Sequence, residues 1–138
     1  MRVLIAEDDA LFRRALQQLL SVEFEITAVE DGDAAWEILQ REDHPPLVLL
    51  DWIMPGLSGP QVCRNLRAKQ ATSGVYAILL TAKNSAADIL AGLRAGADDY
   101  ITKPFEAEEL RVRVRLGRRI LEMQAALAAK SADVGTRG

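Results

Sequence analysis

The stretch Leu47-Val48-Leu49-Leu50-Asp51-Trp52-Ile53-Met54-Pro55-Gly56-Leu57-Ser58-Gly59 decides the fold. Four consecutive apolar residues predict a strand buried on both faces, as in the centre of a parallel sheet, and Asp51 stands at its C-terminal end. Pro55, Gly56 and Gly59 then make a loop, so this carboxylate sits at a sheet rim where the backbone turns and a ligand can approach. Taken alone, Asp51 also fits an ordinary strand-end or turn residue. Its meaning depends on what the other strands deliver to the same rim.

Working outward, residues 2–6 (RVLIA) form a β-rich run followed at once by Glu7-Asp8-Asp9, with Asp8 or Asp9 placed to cap a helix. Leu11, Phe12, Ala15, Leu16, Leu19 and Leu20 recur at helical spacing, which predicts a helix over 10–21 with one buried face. Residues 24–29 read as a second strand, Asp31-Gly32 as a turn, and Ala35, Trp36, Ile38 and Leu39 as a helix ending near Asp43 before Pro45-Pro46. Pro60 suits the first turn of a third helix running to about Lys69, with Val62, Cys63 and Leu66 inward. Residues 75–80 are another apolar strand ending in Thr81. Asn84 or Ser85 can cap a fourth helix, which Gly96 ends. Tyr100-Ile101-Thr102 is the fifth strand, followed by Lys103-Pro104, and Glu106, Glu108 and Glu109 favour the start of a fifth helix. Five β-α alternations predict a doubly wound parallel sheet with helices on both faces and right-handed crossovers.

A chain of 138 residues suits one domain with a single core of ordinary size. Hydrophobic residues at 49% and charged residues at 27% are globular proportions, and no apolar run nears the roughly 18 residues of a membrane helix. The N-terminus enters a strand directly with no leader of the secretory kind, which gives the expectation of a soluble, cytoplasmic protein with no membrane partner. The single cysteine, Cys63, reads as core filling. A net charge of −3 predicts no direct nucleic-acid binding by this chain.

Ligands of open parallel sheets bind outside the carboxyl ends of the strands. Here those ends carry Glu7 and Asp8, Asp51, Thr81 and Lys103. Three carboxylates at one rim repel by roughly 4 kcal/mol per pair at about 4 Å with an effective dielectric near 20, so a positive group belongs among them. A hard divalent cation is the natural occupant, because Mg²⁺ takes oxygen ligands and keeps several waters. Lys103 would then pair with oxygens of an incoming phosphoryl group, and Thr81 can donate a hydroxyl to another. Asp51 is the nucleophile that such an arrangement would serve.

Glu7-Asp8, Asp51-Trp-Ile-Met-Pro-Gly, Leu80-Thr81-Ala82, Gly96-Ala-Asp-Asp-Tyr100 and Lys103-Pro104-Phe105, in that order and at strand ends, resemble the response-regulator receiver domain of two-component signalling over residues 2 to about 119. The resemblance implies a flavodoxin-like five-stranded sheet in the order 2-1-3-4-5. It implies that Asp51 accepts phosphate from a sensor histidine kinase or a small phosphodonor. Asp8 would bind Mg²⁺ (or Mn²⁺) directly, Glu7 mainly through water, and Asp51 and the Ile53 backbone carbonyl would complete the protein ligands. Lys103 would contact the phosphoryl group, Thr81 would move onto it, Tyr100 would turn inward, and Lys103-Pro104 would be a cis bond. The surface of the fourth helix, fifth strand and fifth helix would then change shape to control an output domain or partner. The domain would be a regulatory phosphoacceptor, not an enzyme acting on external substrates.

Three departures from the family pattern, Pro46, Tyr76 and Trp36, lie away from the site. Ile89 replaces an arginine typical of the winged-helix DNA-binding subfamily's dimer. Leu116, Ile120, Met123 and Leu127 continue the fifth helix at alternating spacings of four and three. This is either a solvated helix with one packing edge or a signalling helix over 120–130, before a frayed tail at 131–138. A homodimer through the fourth and fifth helices or through the C-terminal helix is expected on the second reading, and such extensions suggest cyclic-dinucleotide synthase or phosphatase outputs. His44 reads as an exposed loop residue, and Lys83 either tunes water access or is simply solvated. A phosphatase or mutase would need an Asp where Ile53 stands, a flavin domain would not place Glu7-Asp8-Asp9 against phosphate, and a phosphorylation-independent module would not need the acidic set.

Overall fold

The computed structural model describes the backbone of residues 1–137 and the side chains of residues 1–131. Five strands, β1 (Arg2–Ala6), β2 (Glu25–Val29), β3 (Leu47–Asp51), β4 (Tyr76–Thr81) and β5 (Asp99–Thr102), alternate with α1 (Ala10–Leu20), α2 (Gly32–Leu39), α3 (Gly59–Ala68), α4 (Ala86–Ala95) and α5 (Ala107–Arg137). All strand pairs are parallel, in the order β2-β1-β3-β4-β5, as expected.

The period-two alternation of each strand divides the interior in two. Leu4, Ala6, Val48, Leu50, Ala77 and Leu79 face α2, α3 and α4, where Ala35, Leu39, Val62, Cys63, Leu66 and Ala95 meet them. Val3, Ile5, Leu47, Leu49, Ile78 and Ile101 face α1 and α5, where Leu16, Leu20, Leu110 and Val114 close the other layer. β3 and β4 are buried on both faces, so the continuous apolar runs are the sequence trace of central strands. Cys63 is buried in the first layer and its thiol is pushed up to about 12 by desolvation, which makes it a small core hydrophobe.

Helix starts are fixed by short polar side chains. Asp9, and not Asp8, caps α1 by accepting from the Phe12 amide at 3.0 Å, which leaves the Asp8 carboxylate uncommitted to the helix. Asp31 caps α2, Ser58 caps α3 in a reciprocal box with Gln61, and Ser85, not Asn84, caps α4. α4 ends at Gly96, whose φ of 118° is left-handed.

Three expectations change. α2 ends at Leu39, four residues before Asp43: the Gln40 amide still reaches back to the Trp36 carbonyl, but those of Arg41 and His44 donate to the carbonyls of Ile38 and Arg41 only three residues back, and the chain then meets Pro45. His44 is half-buried, its ring nitrogens 3.0 Å from the Pro45 carbonyl and 3.4 Å from that of Ala71, so it is a packed turn residue and not an exposed one. The backbone from Ser131 to Arg137 is helical where a frayed tail was expected; Gly138 and the side chains after Ser131 lie outside the described residues. At about 1.5 Å per residue the 31 residues of α5 span about 46 Å, longer than the sheet beneath. Ile120 and Leu121 still pack on the second layer, whereas Leu116, Met123 and Leu127 are exposed.

Candidate functional site

The register that buries the core also aligns the polar strand ends. Ala6 is level with Leu50, Asp51 with Leu80, and Thr81 with Thr102, so the C-terminal ends of β1, β3, β4 and β5 emerge on one rim. Carboxylate oxygens of Glu7, Asp8 and Asp51 lie within 4.8 Å of one another. Lys103 enters from the end of β5, its Nζ donating to Glu7 Oε1 at 3.2 Å and to Asp51 Oδ2 at 3.3 Å. The Lys103–Pro104 peptide is cis, and the Lys103 amide donates to the Thr81 carbonyl at 2.8 Å. Beneath the ammonium lies the ring of Phe12, 4.2 Å from Nζ to centroid, so a residue that periodicity marks only as core also supports the cation.

Glu7 is the most perturbed acid. It is 2% exposed, and burial together with the adjacent Asp51 carboxylate raises its pKa from an ordinary 4.5 to about 8, against the pull of Lys103. Its Oε2 has no hydrogen-bond partner among the described residues. A buried oxygen without a partner, next to two further carboxylates and one cation, is what a hard divalent ion would satisfy. The donor set, all oxygen, fits Mg²⁺ or Mn²⁺ and not a soft metal.

Asp51, Ile53, Thr81, Ala82, Lys83 and Lys103 line an open cleft of about 330 Å³ above the acids. Thr81 is 4% exposed, and its Oγ1 accepts from the Lys83 amide at 3.2 Å. The Tyr100 hydroxyl donates to the carbonyl of that same Lys83. Tyr100 is half-buried, edge-on to Trp52 at 6.2 Å, and lies against Gly92 of α4, where a Cβ would come within 3.1 Å of its ring. The Lys83 ammonium sits 5.6 Å from the Trp52 ring.

Some contributors were invisible in the sequence. Arg13 donates to the backbone carbonyls of Glu7 at 2.8 Å and Asp8 at 3.4 Å, pinning the acidic turn from one helical turn beyond Asp9. Arg67 donates to the carbonyls of Gly96, Ser73 and Val75 and to the Asp98 carboxylate at 2.7–2.9 Å. Asp98 in turn accepts from the Ala77 amide. No local pattern announces a contact across 31 residues.

A sequence profile described as "Response regulator receiver domain" matches residues 3–115. This chain belongs to the response regulator receiver family. It is 43% identical over 136 residues to the DNA-binding response regulator MtrA of Mycobacterium leprae, covering 96% of this chain and 59% of that protein. This receiver therefore spans under two thirds of that relative's length. Among solved structures, the BeF3-activated N-terminal receiver domain of RstA from Klebsiella pneumoniae is 32% identical, with a TM-score of 0.77 over 85% of this chain and 97% of that one. The receiver domain of sensor histidine kinase PA1611 from Pseudomonas aeruginosa PAO1, with a magnesium ion coordinated in its active site cleft, is 30% identical, with a TM-score of 0.75 over 88% and 97%.

The receiver is thus a regulatory domain of a two-component system. The long helix suggested a cyclic-dinucleotide synthase or phosphatase output, whereas the similar MtrA is a DNA-binding response regulator. No described helix is long and apolar enough to cross a membrane.

Proposed function

We propose that Asp51 is the phosphoacceptor of this receiver, taking a phosphoryl group from the phosphohistidine of a sensor kinase or from a small phosphodonor. The observation that supports it best is the convergence of Glu7, Asp8 and Asp51 within 4.8 Å, with Lys103 Nζ bridging two of them. A carboxylate oxygen of Asp51 attacks phosphorus, the O–P bond forms as the P–N bond breaks, and the imidazole leaves with the electron pair and takes up a proton. Lys103 stays paired to the transferred oxygens as charge moves onto them. Glu7, Asp8, Asp51 and the Ile53 backbone carbonyl are the groups that would hold Mg²⁺ or Mn²⁺, which when bound supplies positive charge beside the transferred group. Water later cleaves the acyl phosphate, returning Asp51 and inorganic phosphate, so the chemistry is confined to the domain's own phosphorylation and dephosphorylation.

The switch runs through Lys83. Thr81 Oγ1 and the Tyr100 hydroxyl hold the amide and carbonyl of that one residue, so drawing Thr81 to a phosphoryl oxygen releases the first contact and loosens the second. Tyr100 then turns inward beside Gly92, and the surface of α4, β5 and α5 changes shape. Residues 1–119 form the receiver unit and 120–130 a connecting helix. Exposed Leu116, Met123 and Leu127 mark the edge of α5 through which two copies would pair, with α4 and α5 the alternative surface. The partners are a sensor histidine kinase and an output module, located in the cytoplasm; DNA contact belongs to such a module and not to this chain of net charge −3.

Incubation with acetyl phosphate and Mg²⁺ tests the assignment. An acid- and base-labile phosphoryl adduct, cleaved by hydroxylamine, is expected on the wild type and absent from Asp51→Asn; an adduct that survives the substitution refutes it.

A further inference from the structure

The loop between β3 and α3 carries Ile53, and its backbone is tied down at three points. At its base the Gly59 amide donates to the Trp52 carbonyl at 3.0 Å. The other two ties come from the start of α2: the Gly32 amide donates to the Pro55 carbonyl at 3.1 Å, and Asp33 Oδ1 accepts from the Leu57 amide at 3.0 Å. The fit is close. A Cβ on Gly32 would lie 1.8 Å from the Leu57 carbonyl oxygen, and one on Gly56, which has a left-handed φ of 73°, would lie 2.6 Å from the Asp33 carboxyl carbon. α2 is itself anchored in the core through the fully buried Ala35 and Leu39. A helix with no residue in the acidic cluster therefore grips the segment that follows Asp51.

We propose that Asp33 is a positioning residue for divalent-cation binding: with Gly32 it latches the 52–58 loop and so fixes the Ile53 carbonyl relative to Glu7, Asp8 and Asp51. The inference rests on the proposed Mg²⁺ site. A carbonyl ligand contributes to affinity only when its backbone is ordered before the ion arrives, and contacts that orient ligands are worth about a tenfold change in metal affinity. Asp33 acts as a hydrogen-bond acceptor here, so its charge is dispensable and its carbonyl-type oxygen is not.

The test compares wild type, Asp33→Ala and Asp33→Asn by calorimetric titration with Mg²⁺, and by phosphorylation from acetyl phosphate over the same Mg²⁺ range, with circular dichroism confirming folding. Asp33→Ala should weaken Mg²⁺ binding about three- to tenfold, and its rate deficit should vanish at saturating Mg²⁺. Asp33→Asn, which keeps the acceptor, should restore affinity to within about twofold of wild type. Wild-type affinity in Asp33→Ala overturns the latch while leaving the phosphoacceptor reading intact. Equal losses in both variants also overturn it, because they assign the effect to charge. Absence of Mg²⁺ binding by the wild type overturns the latch and the metal site together.

Discussion

Lys103 Nζ lies 3.3 Å from Asp51 Oδ2 and 3.2 Å from Glu7 Oε1, so one ammonium holds together two acids that arrive from strands 44 positions apart in sequence (51 − 7). Its replacement by methionine keeps the packing over Phe12 and removes the charge. Phosphorylation of Lys103→Met by acetyl phosphate should fall about a hundredfold at saturating Mg²⁺. A rate unchanged from wild type would show that the transferred oxygens are neutralised elsewhere.

Glu7 links stability to pH. In the folded, metal-free protein it keeps its proton to about pH 8, whereas the unfolded chain releases it near 4.5. Below 4.5 both states are protonated and the contribution of Glu7 is fully present. Between 4.5 and 8 the folded state binds the extra proton, so stability falls with rising pH by at most about 1.4 kcal/mol per unit, and above 8 the contribution is gone. Urea denaturation across this range with chelator should show the decline, and Glu7→Gln should flatten it. Mg²⁺ should flatten it too, by binding the ionised form.

Arg67 should matter for stability and not for the site. Arg67→Ala strips donors from three carbonyls and leaves Asp98 without its cation, a loss of about 2–4 kcal/mol in denaturant unfolding. Its Mg²⁺ affinity at a permissive temperature should equal that of wild type.

The seam on α5 divides at Ile120. Leu127→Glu should leave the unfolding midpoint of the monomer, read at low protein concentration, unchanged and abolish any dimer seen by light scattering, because Leu127 is 65% exposed. Ile120→Glu should lower stability by about 2 kcal/mol as well, since this side chain packs against the α1 and α5 layer. A monomer in the wild type with and without a phosphoryl mimic would remove the dimer.

The rim that carries the candidate site was legible because β3 and β4 are short and central. A run such as Val48-Leu49-Leu50 has no polar face, so the next residue, Asp51, must be at a rim, and five such rims in a parallel sheet face one way. The resolving details were not legible. Whether Asp8 or Asp9 capped α1 depends on one hydrogen bond to Phe12, and its outcome determines which acid remains for the cluster. Asp33 and Arg67 act through carbonyls and amides distant in sequence, which leave no periodicity to read. Ile120 shares its spacing with Leu116 and Leu127 yet packs on the domain, because a heptad pattern does not say which of two neighbours a helix face meets.

The most direct measurement is to locate the covalent phosphate. Borohydride reduces an aspartyl phosphate to homoserine, and peptide mass mapping after treatment with acetyl phosphate and Mg²⁺ should find homoserine at position 51, dependent on the divalent ion. Phosphate mapped to another residue, or homoserine formed equally with chelator present, would contradict a metal-assisted phosphoacceptor at Asp51.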